Sequence, residues 1–420
     1  MSKGTVVLNP VQTYPLPEDA DAFSRQRVSE PTTLFSAKFT NNKQPQRWNE
    51  LAIGQDSEAE YLQDESSILL RCGTEETARV VRQSKRYINY EPGKSQLVYL
   101  TGVLGEQKQG VIKRLGLYED NNGLFFELSE NGMAVVIRSS TSGNKVDTKT
   151  AQQDWNIDSM DGTGPSGIDL DPTKVQLFMI DFQWLGVGQV RFGFVHEGQI
   201  HFVHKANFTN NADTVYMGTP DLPVRYEVEN TETVATVTDD FKQICSAVIS
   251  EGGVQDTRVT FYTATTEERD VVVSIQPGEE RPILSIRPKE IFNEKVNRTL
   301  IMPKTVQIIT GDGSLFWSIQ LNSTLIPRTN IELEWDEVDE ASATEVNVNA
   351  IDYETGFPIS AGFISGSRLE AGVWEQDINI QSPIARGIEP STFDSLTLIV
   401  RKLGGNQPTQ AHAAFKWEES

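Results

Sequence analysis

Cysteine is almost missing from this chain: Cys72 and Cys245 are the only two in 420 residues. A pair so far apart makes neither a disulfide framework nor a paired C-x-x-C metal site. The apolar runs ILLRC and FKQIC around them predict buried free thiols. Histidine is nearly as scarce, at four residues. No apolar run approaches the roughly 18 residues that cross a bilayer, and the N-terminal MSKGTVVLNPVQTYPLPED lacks a basic start followed by an apolar core. The expectation is a chain made in the cytoplasm without membrane insertion. Basic residues are in deficit too, with 37 Lys and Arg against 59 Asp and Glu, for a formal charge of −22. Such a surface repels phosphate, which excludes nucleic acid as a direct partner. No G-x-S-x-G, P-loop or H-E-x-x-H string occurs, so no nucleophile or zinc-peptidase motif stands out. Helical periodicity never lasts beyond two turns, with KEIFNEKVNRTL the best stretch.

What remains is a long series of short strand-like runs. SILLRC, SQLVYLTGVL, GLFFEL, MAVVIRSS, KVQLFMIDFQWL and QVRFGFV are followed later by TRVTFYTA, LFWSIQLN and LTLIVRKL. They are rich in Val, Ile, Phe, Tyr and Trp, often alternate in polarity, and are separated by Gly, Asn, Asp and Pro. The chain therefore reads as all-β, with β-sandwich or jelly-roll-like domains. Residues 1–45, with their prolines and polar stretches, read as an extended N-terminal docking arm. Residues 46–300 read as a large β-sandwich domain and 301–420 as a smaller C-terminal β domain.

The segment DWNIDSMDGTGPSGIDLDPTK, 154–174, packs five aspartates among three glycines and two prolines. Asp154, Asn156 and Asp158 have the alternate spacing of a calcium loop. An EF-hand, however, needs Gly and Glu where Ser159 and Pro165 stand. A non-helical calcium site would use Asp158, Asp161, Asp169 and Asp171. The competing reading is a turn-rich corner in which Asx side chains cap backbone amides and Trp155 anchors the loop. Hydrolysis of a glycan would need two acids about 5–10 Å apart across a cleft, and one Gly-rich loop does not supply that. No catalytic residue is assigned.

RFGFVHEGQIHFVH holds three of the four histidines. A hairpin turning at Gly198 sets His196 opposite His201, two imidazoles without a third metal ligand. RVVRQSKRYINYEPGK is the densest basic run, with Arg79, Arg82, Lys85, Arg86, Tyr87 and Lys94. It reads either as a solvated strand face or as a surface for an acidic neighbouring subunit.

The strings RQSKRYINYEPGKSQ, QDWNIDSMDGTGPSGIDLDPTK, IDFQWLGVGQVRFGF, TPDLPVRYEVEN and KQICSAVISEGG, with the tail AFKWEES, resemble a family of virion proteins. That family occurs in tailed bacteriophages from aquatic environments, with related sequences in large DNA viruses. The resemblance covers about residues 65–255 and the C-terminus. It implies a virion location and no catalytic residues to carry over. It further implies a non-enzymatic structural protein, a tail-associated fibre, spike or adaptor ahead of a head decoration or head-fibre protein. By analogy such parts are homo-oligomers, commonly trimers, that contact other virion proteins and host surface glycan. The alternative from a different class is a glycan-active depolymerase or a calcium-dependent glycan-binding module.

Overall fold

The computed structural model describes residues 31–185, 188–231, 239–253, 258–265, 273–311, 313–366, 372–377, 383–389 and 391–420. Residues 1–30 of the expected docking arm lie outside them. Among the described residues there is no α-helix, only strands and two single 3-10 turns, Gln63–Glu65 and Gln152–Asp154. The all-β expectation holds.

The chain divides into two compact units. The strands of the first region are β1 Pro31–Lys38, β2 Trp48–Ile53, β3 Glu58–Leu62, β4 Ser67–Cys72, β5 Arg79–Ile88, β6 Gln96–Val103, β7 Val111–Tyr118 and β8 Gly123–Ser129. They continue with β9 Gly132–Ser139, β10 Val146–Ala151, β11 Gln176–Phe182, β12 Gln189–His196, β13 Gln199–Asn207, β14 Leu222–Asn230 and β15 Asp239–Glu251. One sheet runs β13-β12-β11-β6-β15-β4-β3, with β1 added on β15. The other runs β10-β9-β8-β7-β14-β5-β2. The described end of the expected arm is thus not free: Pro31–Lys38 pairs antiparallel along β15.

The two sheets pack face to face as a β-sandwich. Alternation sends Leu124, Phe126 and Leu128 of β8 inward and Phe125 and Glu127 outward. Phe126 then meets Phe178, Phe192 and Phe194 from the opposite sheet, with ring centroids 5.1–5.4 Å apart. Each such fully buried aromatic contributes about 1.5–3 kcal/mol through removal from water. In β14, Tyr226 points inward against Phe241 and donates to the Cys245 carbonyl, while Arg225, Glu227 and Glu229 point outward.

The second unit holds β16 Val259–Ala264, β17 Val273–Ile275, β18 Glu280–Pro288, β19 Ile291–Phe292, β20 Lys295–Val296, β21 Ile301–Thr310, β22 Gly313–Leu321 and β23 Thr324–Ile326. It continues with β24 Asp336–Glu337, β25 Thr344–Asn347, β26 Asp352–Glu354, β27 Phe357–Gly366, β28 Gly372–Asp377, β29 Leu396–Leu403 and β30 Thr409–Glu419. A five-stranded sheet, β16-β30-β21-β28 with β17 on β30, and a six-stranded one, β24-β25-β18-β29-β22-β27, share one core around Trp317, Phe415 and Trp417. The division therefore falls near 255, not near 300, because β16, β17 and β18 are bonded into the sheets of the C-terminal sandwich. Segments Gln44–Leu51 and Arg82–Tyr87 also count with this unit.

The tail AFKWEES is interior material. Trp417 is fully buried, and the Glu419 carboxylate accepts from Ser342 Oγ, the Ala343 amide, Thr344 Oγ1 and Trp417 Nε1 at 2.6–2.8 Å.

Candidate functional site

The aspartate-rich segment is a corner whose carboxylates are taken up locally. Asp158 is buried and accepts from the Met160 amide at 2.9 Å and the Ser166 amide at 3.0 Å. A Cβ on Gly164 would sit 2.1 Å from Asp158 Oδ1, so only glycine lets that carboxylate nest. Asp161 accepts from the hydroxyls of Thr163 and Ser159 and from the Thr163 amide, which together hold its carboxyl down at about 2. Asp171 is lowered in the same way by the Thr173 hydroxyl and amide. Asp169 forms a backbone bridge with Asp161. Among the described residues no group of three or more His, Cys, Asp or Glu could hold a metal ion. Asp158, Asp161, Asp169 and Asp171 do not form such a group, and hydrogen bonds within the corner already orient the carboxylates of Asp158, Asp161 and Asp171. His196 and His201 do face each other, with rings 6.2 Å apart, but no third ligand joins them among the described residues.

This corner has another task. Asn156 pairs with Lys205 of β13 through both its amide groups, at 2.8 and 2.9 Å. The amides of Ile157 and Asp158 both donate to the Val203 carbonyl. Trp155 Nε1 donates to the Thr150 carbonyl of β10 at 3.2 Å. The corner thus ties β13, the edge of one sheet, to β10, the edge of the other.

The basic run does not form a docking surface. Arg79 and Lys94 belong to the first unit and Arg82, Lys85, Arg86 and Tyr87 to the second. Arg82 is fully buried, pairs with Glu50 and lies over the Trp48 ring. Burial, opposed by Glu50, lowers its guanidinium to about 10. Lys85 is paired with Asp394 at 2.7 Å, and Tyr87 packs with Leu300 and Ala385. Burial, with Arg258 and Arg47 nearby, also lowers Arg86. Lys94 binds Glu91 and the Gly253 carbonyl. Arg79, Arg82, Lys85 and Lys94 thus pair with this chain's own acids; a run of charges in sequence does not report that.

Arg79 instead joins a charge ladder on the outer face of the seven-stranded sheet. Glu227, 2 % exposed, lies within 2.8–3.5 Å of Arg79, Arg225 and Arg114 and accepts from the Tyr118 hydroxyl. Burial alone would raise its carboxyl, but Arg225, Arg79 and Arg114 outweigh that and hold it well below the usual range. Glu127 is bound on one oxygen by Arg114 and on the other by Lys149, both at 2.7 Å. Arg138 forks onto Asp147 and stacks over Phe125 and Tyr118.

The inner side of the same strands bounds a cleft of about 530 Å³ between the sheets, within the 300–1,000 Å³ typical of small-ligand sites. Val135 and Ile137 of β9 and Phe192 of β12 form its back. Thr148 and Thr150 of β10 and His204 and Ala206 of β13 flank it, and the short threonine and alanine side chains leave the gap unfilled. Residues of the segment 208–216 also line it. Phe208 and Tyr216 stack at 4.2 Å, and the Tyr216 hydroxyl donates to the Gln183 carbonyl, fixing this wall. Ala212, Asp213 and Thr214 form an exposed rim. Burial lowers the His204 imidazole, and its Nδ1 accepts the Asn156 amide at 3.4 Å, so the neutral ring carries its proton on Nε2. Sequence reading missed this cleft. The one signal was VDTKTA in β10, where threonines alternate with charges.

No protein-family model matches the chain, and no curated protein matches it. Among solved structures it is similar to a glycoside hydrolase family protein from Mycobacterium thermorestibile, at 10 % identity and a TM-score of 0.34, over 51 % of this chain and 99 % of that one. It is also similar to the metal-free carbohydrate recognition domain of Emp46p, at 9 % identity and a TM-score of 0.31, over 53 % and 97 %. Peanut lectin is similar at 10 % identity and a TM-score of 0.30, over 53 % and 98 %.

Proposed function

We propose that this chain is a non-enzymatic binding protein of a virus particle, and that its first sandwich takes one end of a glycan into the cleft between β9–β10 and β12–β13. The observation that carries the reading is the lining. Apolar Val135 and Ile137 of β9 lie beside the hydroxyls of their strand partners Thr150 and Thr148, and Phe208, Thr214 and the His204 ring complete a lining of mixed character. A sugar ring matches such a wall, with C–H groups for the apolar side and hydroxyls for the polar one.

Hydrolysis is left out of the proposal for a physical reason. A glycosidase needs one carboxyl that keeps its proton and one carboxylate free to attack or activate water. Asp213 is the one carboxylate lining the cleft among the described residues, and the buried acids of the outer face, Glu127 and Glu227, are neutralised by Arg114, Arg79, Arg225 and Lys149. A calcium-dependent version of glycan binding finds no ligand cluster among the described residues. The particle setting rests on the resemblance of residues 65–255 and AFKWEES to virion proteins. Within it we propose a tail-associated fibre, spike or adaptor, with host surface glycan as partner.

Ligand-observed NMR of the full chain with host-surface oligosaccharides tests this. Expected are transfer signals that vanish in Phe208→Ala while the melting temperature is kept, and no shortening of the parent polysaccharide on incubation. Shortening that Glu127→Gln abolishes would overturn the non-enzymatic reading, and absence of any sugar signal would overturn the glycan reading. Antibody labelling of assembled particles tests the setting: tail-tip label is expected, and a regular array over the head would replace attachment with decoration.

A further inference from the structure

We infer that the cleft selects a neutral sugar carrying a methyl group, a 6-deoxyhexose or an N-acetylated hexosamine, and turns away acidic sugars. The inference rests on the glycan reading above and adds the class of sugar.

Two features of the lining carry it, and the first is charge. Among the described residues no lysine or arginine lines the cleft, and Asp213 on the rim is the only carboxylate that does. The titratable groups facing it are Asp213, His204 and Tyr216. The Tyr216 hydroxyl is tied to the Gln183 carbonyl. The His204 ring is kept neutral by burial, with Nδ1 facing the Asn156 amide. A uronate or sialate would enter with no cation to meet it, beside Asp213, on a chain of net charge −22.

The second feature is how apolar and polar groups are separated. The back of the cleft is Val135, Ile137 and Phe192, all on strand faces that continue the sandwich core. Among the described residues, hydrogen-bonding groups stand on Thr148, Thr150, His204, Asp213 and Thr214, on Ser139 at the end of β9, and on Tyr216, whose hydroxyl is taken by the Gln183 carbonyl. A ring entering end-on therefore leads with one substituent against the side chains of Val135, Ile137 and Phe192, which carry no donor or acceptor. A hydroxymethyl group there would lose its water and gain no partner, whereas a methyl group loses nothing and fills the space. The ring hydroxyls behind it stay level with the threonines and the His204 Nε2–H.

Calorimetric titration of the full chain with matched sugars reads this directly. The pairs are D-fucose against D-galactose, D-rhamnose against D-mannose, and N-acetylglucosamine against glucose, with glucuronate and galacturonate as the acidic arm. In at least one pair the methyl-bearing member is expected to bind about tenfold tighter or more, the size of effect one apolar group has in such pockets. Neither uronate is expected to bind. Ile137→Thr puts a hydroxyl on the back wall at a half-buried position and should reduce that preference to less than about threefold. Thr150→Val should weaken both members of the pair alike. Equal or tighter binding of the member without the methyl group, or of a uronate, still sensitive to Thr150→Val, would overturn the sugar class while leaving the glycan site standing. A preference that Ile137→Thr leaves unchanged would also overturn the assignment to this wall. Failure of every sugar to bind would instead remove the glycan reading itself.

Discussion

Strand β10 borders two different environments. On its outer side Asp147 and Lys149 are bound by Arg138 and Glu127, inside a ladder of ten or so charges that close on one another. On its inner side Thr148 and Thr150 face an open cleft, and no hydroxyl partner for either is found among the described residues. Charged side chains therefore mark scaffold here, and modest neutral ones line the gap that we propose as the ligand site. On that proposal, binding follows the groups left without a partner more closely than the groups with the strongest chemistry.

The most severe way to test that contrast is Glu227→Gln. It removes one negative charge from a site where Arg79, Arg114 and Arg225 converge, leaving buried cations under-compensated. The expected loss is about 3–5 kcal/mol in urea unfolding of the first unit. Because the folded carboxyl lies below its unfolded value, the wild-type ladder stabilises the fold above about pH 4.3 and loses that contribution as pH falls further. Stability against pH should drop steeply below that point in the parent chain and be flatter in Glu227→Gln. A loss below about 1 kcal/mol would mean the ladder is solvated and the contrast false.

Much of the scaffold was legible in the residues. Alternation in MAVVIRSS and QVRFGFV, and turns such as Asp161-Gly162, led to strands and a corner that the structure contains. The basic run was misread because Arg82 and Lys85 find their acids, Glu50 and Asp394, tens to hundreds of positions away. The domain boundary was misplaced for a similar reason, since β16 and β18 pair with β30 and β29 at the far end of the chain. Beyond the alternation in VDTKTA the cleft left no trace, because its lining comes from four strands and a loop, and valine, isoleucine and threonine form no motif.

Asn156→Ala loosens the vacancy rather than the ladder. Losing its two hydrogen bonds to Lys205 should cost about 1–2 kcal/mol and detach β13 from the corner. Sugar affinity should then fall although Asn156 does not line the cleft. Unchanged affinity at reduced stability would separate the corner from the site. Thr150→Val is milder still: its thermal stability should stay within about 0.5 kcal/mol of the parent, while affinity drops about three- to tenfold for one lost hydrogen bond. An equal effect on folding and binding would make Thr150 scaffold, like its neighbour Lys149.

The smallest effect is expected from calcium, and it tests whether the corner is scaffold as well. A cation there would have to share carboxylates that Met160, Ser166 and Thr163 amides already hold. Replacing Asp158 and Asp161 together by Ala should lower the melting temperature by the same amount in calcium and in chelator, because what is lost is amide capping. The unsubstituted chain should melt at one temperature in both buffers. If chelation alone lowers that temperature, and the double substitution removes the difference, the corner takes a cation after all. The carboxylates of 154–174 would then count with the open groups of the cleft instead of the closed ones of the ladder.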